Sequence, residues 1–217
     1  MASVTISRPI ASERNSWWAI ICLGERIGAA VLLGALSSAL CLCAITLAVL
    51  SRRTPLIAHR RVGWRGTTLW MLKLRTMWDR EAPRFRGWIE RIEDEAGPQQ
   101  KGSADPRVAN AFAAFCRRHS IDELPQLWHV IYGEMSLVGP RPLTAAELRQ
   151  YYGPDTVEVL EVRPGIAGLW QTSGRNRLTY CQRRDLDVQF VRTRSLRMYL
   201  KILLRTIPEV WSGANSW

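Results

Sequence analysis

Acidic side chains are in short supply in this sequence of 217 residues: 19 Asp and Glu stand against 30 Lys and Arg, a formal charge of +11. That deficit excludes an acidic or charge-balanced surface and implies an anionic partner: nucleic acid, anionic lipid or a phosphorylated small molecule. No cysteine pair has zinc-site spacing with matching histidines, so a zinc module is excluded. The five cysteines (Cys22, Cys41, Cys43, Cys116 and Cys181) are odd in number, and three fall in or beside one apolar segment. A disulfide framework is not expected; free thiols in a reducing compartment are. No internal repeat or low-complexity tract is present, which excludes a solenoid and a disordered chain. No nucleic-acid-binding fold signature is evident. The length fits one ordinary domain with an appendage, and such a chain can bury a sizeable core.

Long apolar runs are equally rare, and there is a single one. Residues 27–50 carry no charged side chain over 24 positions, enough to cross a hydrocarbon core of roughly 30 Å. Arg26 precedes the run, and Arg52 and Arg53 follow it. Trp17 and Trp18 lie where an aromatic belt would sit, and the chain has ten tryptophans in all. The run exceeds a signal-peptide core, and no A-x-A-like cleavage site precedes a mature start. A buried core helix is the alternative. Basic residues continue beyond the run (Arg60, Arg61, Arg65, Lys73, Arg75), which keeps the following domain cytoplasmic. The helix then either spans, with the N-terminus outside, or re-enters, with both ends inside.

Beyond it, residues 56–77 read as short strands with turns at Gly63 and Gly66. Lys73 and Arg75 fall on one face of such a strand, as phosphate ligands or as a solvated basic edge. Residues 79–102 read as a surface helix and loop, and residues 108–116, 144–152 and 177–192 as helices. Arg141 stands between Pro140 and Pro142, which stiffen the backbone around it. A fixed guanidinium suits bidentate phosphate binding; the alternative is a solvated arginine on a rigid loop. Residues 163–175 form a Gly/Pro-punctuated loop and strand whose amides and cations, Arg175 among them, can cradle an anion. Residues 194–207 make a basic amphipathic helix that lies in a membrane interface or packs on the core.

The densest chemistry lies at residues 120–128. Asp122 and Glu123 directly precede Pro125, and Leu124, Leu127, Trp128 and Ile131 recur at helical spacing until Gly133. The pattern predicts a helix opening at Pro125, whose missing N–H suits a first helical position. The acid pair then stands before the helix N-terminus, where ionised carboxylates are favoured. An ionised carboxylate there can be a nucleophile or hold a divalent cation. The bland reading is a capping box, since Ser120 and Glu123 have the S-x-x-E spacing. His119 reads as a polar helix-end residue.

Several segments together resemble the bacterial sugar transferases, the monotopic polyprenyl-phosphate phosphoglycosyl transferases. They are residues 73–77 (KLRTM), 105–107 (DPR), 120–127, 133–142 (GEMSLVGPRP) and 163–175, the run from Asp122 to Arg141 and Pro142 being the most specific. The short N-terminus resembles the compact, exopolysaccharide-initiating members. The resemblance implies an α+β, helix-rich fold. Residues 1–25 are an N-terminal segment and 26–55 a membrane-embedded helix, re-entrant or spanning. Residues 56–217 are a small cytoplasmic α/β catalytic domain with interfacial amphipathic helices. It implies transfer of a sugar-1-phosphate from a UDP-sugar to undecaprenyl phosphate, with UMP leaving and a covalent phosphosugar-aspartate formed on the way. Asp122 is then the nucleophile. Glu123, with Asp122, holds Mg²⁺. Arg141, Arg117, Lys73, Arg75 and Arg175 meet substrate phosphate. The expected partners are the UDP-sugar, undecaprenyl phosphate and inner-membrane lipids, with no nucleic acid. The expected place is the cytoplasmic face of a bacterial inner membrane, and a homo-oligomer is left open. Three departures stand out: Ala39 follows Ser38 where the family commonly has proline, residues 109–112 replace a Thr-Arg-aliphatic-Gly run, and Tyr199 stands where an acid is usual. The competing class is a non-catalytic basic membrane adaptor or nucleic-acid binder.

Overall fold

The computed structural model describes residues 16–78, 87–93, 107–108, 110–174 and 177–212. The first described element is helix α1, Ser16–Ser51, 36 residues long, or about 54 Å at 1.5 Å per residue. It contains no proline, and Ser37 returns its hydroxyl to the Gly34 carbonyl at 2.8 Å without interrupting the helix. This helix starts eleven residues before the apolar run. It is long and apolar enough to cross a membrane.

Strands β1 (Leu56–Val62) and β2 (Thr68–Leu74) form an antiparallel hairpin in which Ile57 faces Lys73 and Val62 faces Thr68. Strand β3 (Ile89–Ile92) adds to β1 in parallel, giving the order β2-β1-β3. This corrects the expected surface helix over 79–102: the described part, residues 87–93, contains a strand. Its Ile-Glu-Arg-Ile sequence is too short to reveal a period, and the open edge of β1 decides its conformation. Residues 79–86 and 94–106 lie outside the described residues.

Helix α2 (Ala111–Arg118) is capped by Asn110, whose side chain accepts from the Ala113 amide at 2.7 Å. A 3-10 turn (Ile121–Gln126) follows and runs into α3 (Leu127–Tyr132), which Gly133 stops at φ 75°. A side chain at Gly133 would also collide with Arg26 of α1. Then come β4 (Ser136–Val138), α4 (Ala145–Glu147), a π turn (Leu148–Tyr152), α5 (Thr156–Leu160) and β5 (Gly165–Ala167), which pairs in parallel with β4. Gly139 and Gly165 let the two backbones touch where any Cβ would strike the opposing chain. Helices α6 (Tyr180–Thr193) and α7 (Leu196–Ser212) close the chain.

Among the described residues, three of the four hydrophobic clusters are built along α1. Trp18 and Ile21 pack with Phe190, Tyr199 and Ile202; Ala29 and Leu33 with Met71, Leu127 and Met135; Ala44 and Leu47 with Leu74, Trp78 and Ala113. At about 100° per residue these positions share one face of the helix. The opposite face exposes Ile20, Leu23, Ile27, Val31, Leu42 and Val49.

Glu25, near the start of α1, is buried at 7 % exposure. Its Oε1 accepts from the Ser136 hydroxyl at 2.5 Å, the Leu137 amide at 2.8 Å and the Tyr199 hydroxyl at 2.5 Å. Tyr199 thus donates to an acid on α1 rather than supplying one from α7. Burial, then the charge of Glu25, pushes its phenol well above the ordinary range.

Candidate active site

The 3-10 turn begins four residues earlier than the helix expected at Pro125, so both acids sit inside its first turn. Ser120 takes up the left-handed conformation, φ 54°, and makes no side-chain cap bond, so the S-x-x-E spacing does not form a capping box here. The same spacing forms true boxes at Thr144–Glu147 and Thr179–Gln182, where the capping residue is extended. Pro125 is tolerated because a short turn loses a single rung to it.

Successive residues of a 3-10 turn project about 120° apart, so the two acids face different neighbours. Glu123 faces β2: Lys73 Nζ donates to its Oε1 at 2.6 Å, the two side chains 16 % and 25 % exposed. Asp122 is buried at 8 % exposure. Its charge is felt at Cys116 on α2, whose enclosed thiol is pushed up to about 12 by burial first, then by Cys43 and Asp122. Ile121, just before it, packs against the cluster that Ala44 and Leu47 of α1 form with Leu74, Trp78 and Ala113. The acid pair therefore stands between a cationic strand edge and the apolar helix.

His129 braces this arrangement. Its Nε2 accepts from the Leu72 amide at 3.2 Å, beside Lys73, which leaves the Nδ1 proton for Glu134 Oε2 at 2.6 Å. The free edge of β2 is thus tied to the helix behind the acids. Arg117 lies half-buried in the last turn of α2, its enclosed Nε without a hydrogen-bond partner. His119 ends that helix, as expected, with Nδ1 3.1 Å from the Val210 carbonyl of α7.

Other expected site residues stand elsewhere. Arg75 is buried and paired with Glu90 of β3 at 2.5 Å, a structural clasp across the sheet. Arg163, at the start of the 163–175 loop, donates from Nε to the Gly133 carbonyl at 2.8 Å and lies 4.4 Å from the Trp64 ring, closing the end of α3. Arg175 lies outside the described residues. Arg141 sits 5.6 Å from the Trp170 ring. Its loop is anchored where Leu143 bridges Val62. Val62 is five positions along β1 from Ile57, the partner of Lys73, or about 17 Å at 3.3 Å per residue. The structure thus joins Lys73, Glu123 and Asp122 and sets the Arg141 loop at the other end of the hairpin.

Among the described residues no three His, Cys, Asp or Glu side chains group as metal ligands. Asp122 and Glu123 still suit a hard cation such as Mg²⁺, which takes one or two carboxylates and completes its shell with water and substrate phosphate.

A family model for bacterial sugar transferases matches residues 18–213. The chain belongs to the bacterial sugar transferase family. Its similarity to the exopolysaccharide production protein ExoY of Rhizobium meliloti is 40 % identity over 163 residues, covering 73 % of this chain and 71 % of the relative. The UDP-glucose:undecaprenyl-phosphate glucose-1-phosphate transferase of Caulobacter vibrioides is 35 % identical over 199 residues, 88 % of this chain and 69 % of the relative. The undecaprenyl-phosphate galactose phosphotransferase of Salmonella typhimurium is 38 % identical over 157 residues, 70 % of this chain and 32 % of that longer protein. Within this sugar transferase, Glu25, His129 and Arg183 are the residues that motif reading passes over. A lone acid in an apolar helix is the signal that points to Glu25.

Proposed function

We propose that this sugar transferase moves a sugar-1-phosphate from a UDP-sugar to a polyprenyl phosphate and starts exopolysaccharide or glycoconjugate assembly. One observation carries the reading: an acid pair braced by Lys73 and pressed through Ile121 against an apolar helix. Phosphoryl transfer asks a protein for positioning and charge neutralisation more than for acid-base chemistry.

A carboxylate oxygen of Asp122 attacks the sugar-linked phosphorus. The bond from that phosphorus to the bridging oxygen breaks, and UMP leaves with the electron pair. A phosphate oxygen of the polyprenyl acceptor then attacks the same phosphorus, the bond to Asp122 breaks, and the carboxylate is restored. Burial keeps competing water from the intermediate. Lys73 holds Glu123 in place, and Arg117, in the last turn of the preceding helix, keeps an enclosed Nε without a hydrogen-bond partner. Glu123, with Asp122, would hold Mg²⁺, which supplies neutralisation of the diphosphate when bound.

The packing of α1 supports a re-entrant rather than a spanning placement. A helix whose one face is covered by the catalytic domain along its whole length does not stand across a bilayer apart from that domain. Its other, apolar face meets lipid from the cytoplasmic side, both ends remain on that side, and exposed Leu200, Leu204, Ile207 and Trp211 of α7 add apolar surface. A cysteine at residue 10 should be labelled from the cytoplasmic side alone; periplasmic labelling refutes this topology.

The chemical test is Asp122→Asn, measured by UMP release from UDP-sugars with undecaprenyl phosphate. Turnover should fall at least about 1,000-fold. Without acceptor, the wild type should gain the mass of one phosphosugar and the variant should not. Full turnover in the variant ends the covalent scheme. Salt-sensitive DNA or RNA binding with no turnover by the wild type would favour a non-enzymatic binder.

A further inference from the structure

Strand β2 is an outer strand in the order β2-β1-β3, so the amides on its far side have no strand to meet. The Leu72 N–H finds a side chain instead, His129 Nε2 at 3.2 Å. His129 is 5 % exposed and comes from α3, the helix that follows the acid turn. One residue further along β2, Lys73 Nζ reaches Glu123 Oε1 at 2.6 Å. Glu123 and His129 belong to one continuous turn-and-helix segment, residues 121–132. That segment grips two consecutive residues of β2, the first by its backbone and the second by its side chain. Leu69 and Met71 of the strand also pack with Leu127 and Val130 of the helix. Such apolar contact is non-directional and does not by itself fix where along the strand the helix sits.

The direction of the hydrogen bonds decides the state of the ring. A backbone N–H only donates, so Nε2 must carry a lone pair, and the single proton sits on Nδ1. That proton meets Glu134 Oε2 at 2.6 Å. Glu134 is kept near because its own amide returns to the His129 carbonyl at 2.9 Å, through the turn that Gly133 makes at φ 75°. A carboxylate on Nδ1 selects the tautomer whose Nε2 is free to accept. With the proton on Nε2 instead, two N–H groups would face each other and both would go unmet.

We propose that His129, held in this tautomer by Glu134, is a positioning residue for the transfer step: it fixes β2 at Leu72 so that Lys73 stands against Glu123. It lies behind the acids and acts through Lys73 rather than on substrate. The proposal rests on the transferase reading, in which Glu123 serves the chemistry at phosphorus.

The test is a double-mutant cycle on the full chain in detergent, read by UMP release from a UDP-sugar with undecaprenyl phosphate. His129→Leu removes the acceptor and should lower kcat about tenfold, with KM for the UDP-sugar within about twofold of wild type. Lys73→Met should lower kcat at least as far. The double variant should stay within about twofold of Lys73→Met, because His129 then has nothing left to position. Losses that multiply would make His129 a structural residue independent of Lys73 and overturn the proposal. His129→Gln sets an amide oxygen close to the place of Nε2 and should recover kcat to within about threefold of wild type. A folded glutamine variant as slow as the leucine one overturns it too. Should His129→Leu not fold, Glu134→Leu, at a half-exposed position, takes its place in the cycle, with a loss of about threefold expected. No loss there would also count against the proposal. Imidazole nitrogen shifts of isotope-labelled wild type, assigned by the signal missing from His129→Gln, should place the proton on Nδ1. A proton on Nε2 overturns the arrangement. That spectrum needs no turnover: a wild type that releases no UMP ends the transferase reading, while the spectrum still decides the state of His129.

Discussion

Lys73 and Arg141 are both cations placed by short strands of the same domain, and they are treated in opposite ways. Lys73 is closed by Glu123 at 2.6 Å on a partly covered strand edge. Arg141 lies on an indole beside a second arginine, with no carboxylate at ion-pair distance among the described residues. The first arrangement holds an acid in place; the second rests two cations on one aromatic ring. The difference teaches that a basic chain need not spread its charge evenly over a substrate. Part of it is spent on holding acids in place, and part rests on aromatic surface.

Four experiments break or sharpen that contrast. The largest effect belongs to Glu123→Gln, which keeps the shape and removes the charge. UMP release should fall about 100-fold, while the affinity for UMP stays within about twofold. Equal damage to both would make Glu123 a group for binding the nucleotide rather than for the transfer step. Lys73→Met comes next. The ion pair lies between the exposed and buried limits, so its loss should lower unfolding free energy by about 2 kcal/mol, read by denaturant titration. A change under about 0.5 kcal/mol would show that Glu123 needs no cation to hold it.

The third experiment concerns Asp187, whose pKa burial raises from 3.8 to about 7 against the opposing Tyr152 hydroxyl and Arg141. The folded state binds this proton more tightly than the unfolded chain does. The group's contribution to stability is complete below about pH 4 and is lost as pH rises toward about 7. Asp187→Asn should therefore flatten the fall in melting temperature between about pH 5 and pH 7.5, and an unchanged slope would refute the assignment. The smallest effect is at Thr144, which caps α4 and leads the Arg141 loop into it. Thr144→Ala should cost about 1 kcal/mol of stability and leave Lys73–Glu123 chemistry untouched.

Much of the fold was legible because its signals are local. The hairpin over 56–74, the helices ending at Gly133 and starting near Thr179, and the apolar α1 follow from periodicity, glycine and capping residues. The acid pair stands out in the sequence, but Lys73 reads there as a phosphate ligand or a solvated basic edge, and only the fold pairs it with Glu123. What escaped depends on distant partners. Arg75 looks like Lys73 in sequence, yet β3 supplies Glu90 and removes it from the site. The capping spacing at Ser120 looks like the one at Thr144, yet a left-handed backbone prevents the box. Arg183 has no motif of its own and gains meaning only when the fold sets Trp170 beneath it.

The seam along α1 has a consequence for how this enzyme comes into being. Trp18 and Ile21, Ala29 and Leu33, and Ala44 and Leu47 enter three separate hydrophobic clusters, so strands and helices distant from one another in the chain depend on the same helix. Helix and catalytic domain should therefore fold as a single unit, and a polypeptide starting at residue 56 should expose the faces that α1 covers and precipitate.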